Sequence, residues 1–193
     1  LAASSHTCAL RSSGRIACWG NNGAGQLGDG TTVTRATPAD AVGITTAVEV
    51  VAGGAHTCAR LASGTVMCWG QNVEGVLGDG TTTNSSTPVT VVGLTDAVEL
   101  VAGSSFNCAR RPTGSVVCWG RNGMGNLGNG TTVWSSTPVA VLALNDAIAV
   151  AAGGGRHACA LKAAGPVVCW GGNGFGQIGD ATATPRTSPV QVI

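Results

Sequence analysis

Paired cysteines recur along this 193-residue chain at Cys8/Cys18, Cys58/Cys68, Cys108/Cys118 and Cys159/Cys169, a period of 50, 50 and then 51 residues. Self-similarity at such a spacing marks a repeat architecture, in which each unit buries its apolar faces only against its neighbours. The same words return around each pair. The first copy carries His6-Thr7-Cys8-Ala9, Cys18-Trp19-Gly20, Gln26-Leu27-Gly28-Asp29-Gly30-Thr31-Thr32 and Thr37-Pro38; the second carries His56-Thr57-Cys58-Ala59, Cys68-Trp69-Gly70, Leu77-Gly78-Asp79-Gly80-Thr81-Thr82 and Thr87-Pro88. The extra residue of the fourth copy falls in Gly153-Gly154-Gly155-Arg156, where it lengthens a turn. We expect one repeat domain over 1–193, with units at approximately 1–43, 44–93, 94–143 and 144–193.

Within a unit, Ala47 to Ala52 is short, apolar and β-branched and ends at Gly53-Gly54, which predicts a buried strand. His56 to Leu61 and Thr65 to Trp69 flank the turn Ala62-Ser63-Gly64, a hairpin signal. Pro88 to Val92 predicts a fourth strand with its proline first, where a missing N–H is tolerated. No segment shows sustained helical periodicity. The fold class is therefore all-β, with four tandem four-stranded antiparallel sheets. Sheets of this size bury both faces by radial stacking, as blades of a β-propeller. Side chains alternate along a strand, so each Trp of Cys-Trp-Gly faces away from its Cys; Trp19, Trp69, Trp119 and Trp170 are expected to pack between blades.

Composition removes several functions. Lys plus Arg is 10 and Asp plus Glu is 9, so a net charge of +1 offers no basic field for a phosphate backbone, and nucleic acid is not expected as a partner. The longest apolar stretch, Val139 to Ala152, is interrupted by Asn145 and Asp146 and is short of the roughly 20 residues of a membrane helix, so membrane insertion is not expected. Leu1 to Ser5 lacks the charged and apolar regions of a signal peptide, which is read as absent or already removed. Nine Arg against one Lys, Lys162, suggests a GC-rich, bacterial genome.

The repeat resembles that of the regulator of chromosome condensation family. Ser5-His6-Thr7-Cys8-Ala9-Leu10 approximates its Gly-x-x-His-Thr-x-Ala-Leu, Cys18 to Asn22 its Cys-Trp-Gly-x-Asn, and Gly25 to Gly30 its Gly-Gln-Leu-Gly-Asp-Gly. The resemblance covers the whole chain. It implies four-stranded propeller blades, usually seven to a ring, that serve mostly as protein-binding platforms; members include an exchange factor for a small GTPase, a plant ultraviolet-B photoreceptor and the secreted beta-lactamase inhibitory protein II. Four copies are fewer than that ring. We expect part of a larger propeller or a half-ring completed by another chain, rather than a four-bladed ring, which needs far more splay between blades.

The two Cys of a unit lie symmetrically about the hairpin centre, so they oppose each other at a separation a disulfide accepts. Four intra-blade disulfides, Cys8–Cys18, Cys58–Cys68, Cys108–Cys118 and Cys159–Cys169, are the leading expectation, ahead of reduced thiols or a metal site using His6, Cys8 and Cys18. They place the chain in an oxidising compartment: extracellular, periplasmic or cell-surface. Phe106 replaces His in the third copy, which favours His6, His56 and His157 as structural residues that hydrogen-bond a loop. Asp29, Asp79, Asn129 and Asp180 are read as turn residues capping backbone N–H groups. No phosphate or calcium loop, nucleophile elbow or paired carboxylates can be assembled, so no catalytic residue, metal or cofactor is expected.

Positions that differ among the copies are free to carry specificity. Ala24, Glu74, Met124 and Phe175 share one loop position; Thr34, Asn84, Trp134 and Pro185 share another. Trp134 suits a binding hot spot or packing against its own blade. Met124, Phe175, Glu74 and Arg121 are further partner-binding candidates, with Phe106 and the pairs Arg110-Arg111 and Arg121-Arg156 behind them. The expected function is non-enzymatic binding of a protein partner through blade loops. An intracellular GTPase regulator and a self-assembling ring or fibre, pairing through open blade edges, are the alternatives.

Overall fold

The computed structural model describes residues 5–193. It is all-β, with no helix among the described residues. Strands β1 (His6–Leu10), β2 (Ile16–Gly20) and β3 (Arg35–Asp40) form the first sheet. The strand expected ahead of β1, near Leu1-Ala2-Ala3, lies outside the described residues. The second sheet holds β4 (Ala47–Ala52), β5 (His56–Leu61), β6 (Val66–Gly70) and β7 (Ser85–Thr90). The third holds β8 (Glu99–Ala102), β9 (Phe106–Arg110), β10 (Val116–Gly120) and β11 (Ser135–Ala140). The fourth holds β12 (Ala147–Ala152), β13 (His157–Lys162), β14 (Val167–Gly171) and β15 (Arg186–Gln191). Each sheet is an antiparallel meander in chain order, and β4, β8 and β12 lie beside one another across the blades.

The hairpin register pairs each Cys directly with its partner, and all four disulfides are present. The last strand of each unit differs from expectation. β7 begins at Ser85, so Pro88 is its fourth residue; Cys68 opposes Val89 and Gly70 opposes Ser85, leaving Pro88 inside an irregular stretch of the ladder. Proline is tolerated there because the bulge asks for no ladder hydrogen bond from its nitrogen.

Three apolar cores lie at the three blade junctions. Trp69 of the second blade is buried among Cys8, Cys18 and Leu27 of the first, with Ile44 from the link between β3 and β4. Trp119 of the third lies among Cys58, Cys68, Leu77 and Leu94, and Trp170 of the fourth among Cys108, Cys118, Leu127 and Leu144. All three rings are fully buried. Each indole N–H donates to a main-chain carbonyl of the preceding blade: Trp69 to Gln26 (3.0 Å), Trp119 to Val76 (2.9 Å) and Trp170 to Asn126 (3.0 Å). The ring lies so close to the preceding loop that a Cβ on Gly78 would sit 2.8 Å from Trp119 Nε1, and φ there is +70°. Glycine meets both demands at once. Trp19 is only half-buried.

Candidate functional site

Each long loop leaves the second strand of its hairpin, at the end of the blade opposite the hairpin turn. One buried asparagine organises it. Asn72 Nδ2 donates towards Asp79 Oδ1 (3.2 Å), Thr81 O (3.2 Å), Thr81 Oγ1 (3.1 Å) and Thr83 O (3.1 Å), while its Oδ1 accepts the Leu77 N–H (2.9 Å). Asn22, Asn122 and Asn173 repeat the arrangement, and all four side chains are fully buried. The aspartates close the turn as expected: Asp79 Oδ1 accepts the Thr81 N–H at 3.0 Å, and Asp29 and Asp180 do the same for Thr31 and Thr182. Hydrogen bonds from Thr182, then from Arg186, hold the Asp180 carboxyl down at about 2. The long loops are therefore fixed from within, so little entropy is left to lose in ordering them.

The histidines serve the junctions. Thr57 Oγ1 donates to Gln26 O (2.8 Å), so His6 Nε2 must donate to Thr57 Oγ1 (2.8 Å). Asn107 Nδ2 likewise donates to Val76 O (2.8 Å), and His56 Nε2 to Asn107 Oδ1 (2.9 Å). The expected loop partner is thus replaced by a strand of the next blade. Burial lowers the pKa of both rings; for His56 it does so to about 4, against the opposing effect of its bond to Asn107. In the third blade the corresponding partner position is Ala158, which has nothing to accept a hydrogen bond, and Phe106 stands in place of His. Phe106 is 1% exposed, so it is a core residue and not a binding candidate. Arg110 and Arg111 lie near the hairpin end, paired with Glu99 (2.8 Å) and Asp96 (3.4 Å), away from the loops.

The variable loop residues converge. Arg121 bonds Glu74 of the preceding blade (2.9 Å), and its guanidinium carbon sits 5.9 Å from the Trp134 ring centroid. That stacking leaves the ring 50% exposed. Met124 is 39% and Phe175 97% exposed, and both line one cup with Arg156 and Pro185. Val133, 71% exposed beside Trp134, was not singled out by its sequence, because Val33 in the first copy makes it look like repeat background. Among the described residues no group of three or more His, Cys, Asp or Glu is placed to hold a metal, and no helix is long and apolar enough to cross a membrane.

Residues 13–60, 63–110 and 113–161 match the regulator of chromosome condensation (RCC1) repeat, and a second description of that repeat matches 47–76, 97–126 and 147–177. The chain belongs to the regulator of chromosome condensation repeat family. Solved structures of similar shape include human WBSCR16, with 22% identity and a TM-score of 0.88 over 100% of this chain and 52% of that one. Saccharomyces cerevisiae Prp20p aligns at 19% identity with a TM-score of 0.86, over 98% of this chain and 48% of that one. The Arabidopsis thaliana receptor kinase ACR4 ectodomain aligns at 26% and 0.52, over 86% and 52%. The chain spans about half the length of these structures. No curated protein sequence matches it. The blade type expected from the repeat is thereby established as that of the regulator of chromosome condensation family.

Proposed function

We propose that this chain is a non-enzymatic protein-binding platform working outside the cytosol, and that it engages its partner through the loop end of the third and fourth blades. The observation that carries this is the cluster of Trp134, Met124 and Phe175 on loops held rigid by the buried asparagines. Large apolar side chains that are exposed yet fixed are what a binding hot spot uses. Relatives support a protein as partner: yeast Prp20 was solved bound to Kap60, and binding of Prp20p to Gsp1p and histones is described. An intracellular GTPase regulator would need reduced cysteines, and the four disulfides favour the oxidising side. The test places a photo-crosslinking amino acid at position 133, 183 or 163 in the protein in its native compartment. One protein captured from the exposed loop positions 133 and 183 but not from 163, at the hairpin end, and lost in Trp134→Ala when crosslinked from 183, is the expected result; capture from 163 alone refutes it.

A second reading, self-association, is favoured by the end blades. Trp19 is half-buried where its three counterparts are enclosed, and a Cβ on Gly176 would meet only Thr182 O at 4.0 Å, whereas Gly25, Gly75 and Gly125 each abut the next blade within 2.6 Å. These two faces are the halves of the interface used three times internally, so a second copy fits head to tail. Sedimentation should show a concentration-dependent dimer or ring abolished by Trp19→Ala; a monomer at high concentration refutes this reading.

A further inference from the structure

The second and third blades meet over an ion pair, Glu74 with Arg121. At the next junction the equivalent positions are Met124 and Gly172, a thioether and no side chain at all. The space left is a cup of about 380 Å³, lined by Met124, Arg156, Gly172, Phe175, Gln177 and Pro185. A volume of that size holds a small ligand or a large side chain. Its walls are mainly apolar, and Arg156 supplies the charge at its rim.

Arg156 differs from every other cation among the described residues. The other eight arginines and Lys162 each meet a carboxylate within 3.5 Å; Arg156 meets none. Its backbone is nonetheless anchored, since its carbonyl accepts Asn126 Nδ2 (2.9 Å) and the Gly172 N–H (2.7 Å). A fixed backbone therefore carries an unpaired guanidinium to the mouth of an apolar cup. Between Arg156 and Arg121 a polar recess of about 40 Å³, floored by Ser104, Ser105 and Asn126, continues the surface to the next junction.

We propose that this cup takes an apolar side chain from an extended internal segment of a protein partner, and that an Asp or Glu next to that side chain pairs with Arg156. Charge complementarity selects the acid. The continuation past the recess towards Arg121 and Trp134 selects an internal segment over a chain terminus, which would stop at the rim. The proposal rests on the loop end being the binding face.

The test uses NMR of the whole 15N-labelled chain with three probes: acetyl-Ser-Asp-Leu-Ser-amide, its Asn counterpart, and Ser-Ser-Leu with a free carboxyl terminus. The capped Asp peptide should shift the amides of Gly172 and Gly174 and the Arg156 Nε–H, and bind about fivefold more tightly than the Asn peptide, as one exposed ion pair allows. Arg156→Gln should erase that preference. Gly172→Arg, which copies Arg121 at a position whose Cβ meets only Arg156 atoms at 3.4 Å or beyond, should abolish binding by filling the cup. Tighter binding of the free-terminus peptide, equal binding of the Asp and Asn peptides, or no shift at the cup overturns the proposal. Trp134→Ala should leave the short peptides bound while weakening the crosslinked partner. A partner that still crosslinks from position 133 in Gly172→Arg refutes the cup alone, whereas loss of crosslinking from every loop position refutes the platform.

Discussion

Replacing Asn72 by Asp changes one atom in size by almost nothing and its chemistry completely. The Leu77 N–H fixes which end of the amide is oxygen, so the new oxygen takes the place of Nδ2, facing Asp79 Oδ1 at 3.2 Å and the carbonyls of Thr81 and Thr83. Two carboxylates at that distance repel by roughly 332/(20 × 3.2), about 5 kcal/mol, at an effective dielectric constant of 20. The pair escapes by holding a proton. Keeping a carboxyl of ordinary pKa, about 3.9, protonated at pH 7 costs about 4 kcal/mol, at 1.36 kcal/mol per pH unit, and this caps the penalty. Asn72→Asp should therefore lower stability by about 4 kcal/mol at pH 7. With a urea m-value of about 2 kcal/mol/M, the midpoint moves down by about 2 M. The pH dependence tests the cause. The folded variant binds a proton that the unfolded chain releases, so its deficit relative to wild type grows with pH above about 3.9 and shrinks towards zero on acidification. Urea titrations followed by Trp fluorescence at pH 4, 5, 6 and 7 should show a slope near 1.36 kcal/mol per unit. Asn72→Ala should show a deficit that does not change with pH. A flat profile for Asn72→Asp, or a loss under about 1 kcal/mol at pH 7, refutes the assignment of the asparagine as the loop's central donor.

Three further outcomes follow from the junctions. Trp119→Ala removes a fully buried ring and one of the two hydrogen bonds that reach the Val76 carbonyl; calorimetry should register a loss of about 3–5 kcal/mol. His56 stays neutral in the folded chain to about pH 4 while the unfolded ring takes a proton below about 6.5, so acidification across that window should remove up to about 3 kcal/mol. NMR titration of its ring should show no protonation at pH 5.5; a midpoint near 6.5 would refute its burial. Phe106→His should destabilise, because no partner meets the imidazole at Ala158, and adding Ala158→Thr should recover about 1 kcal/mol in a double-mutant cycle measured by urea unfolding.

The repeat made the blades, the hairpins and the cysteine pairing legible from residues within one unit, and alternation away from the adjacent Cys pointed the tryptophans to the junctions. What escaped depends on longer spans. The bond from His56 crosses 51 residues to another blade, so its partner could not be told from a loop. Phe106 looked like an open variable position because the residue that explains it, Ala158, lies one blade away. Asn72 was visible in the Cys-Trp-Gly-x-Asn word, yet its work is done by a loop that closes over it nine and eleven positions later. The cup escaped for a different reason: it is made by a side chain that Gly172 lacks, and an absence acquires meaning only beside the Glu74–Arg121 pair that fills the neighbouring junction.

Every interior tryptophan reaches backwards, to a carbonyl 43 or 44 residues earlier in the chain. A ribosome makes that carbonyl first. Each indole therefore emerges with its acceptor and its apolar seat already synthesised, and the array grows by adding one blade at a time to a finished edge. The opposite polarity would leave a large bare ring waiting for a blade not yet made, exposed to other nascent chains. The direction of one hydrogen bond thus gives the whole array an order of assembly.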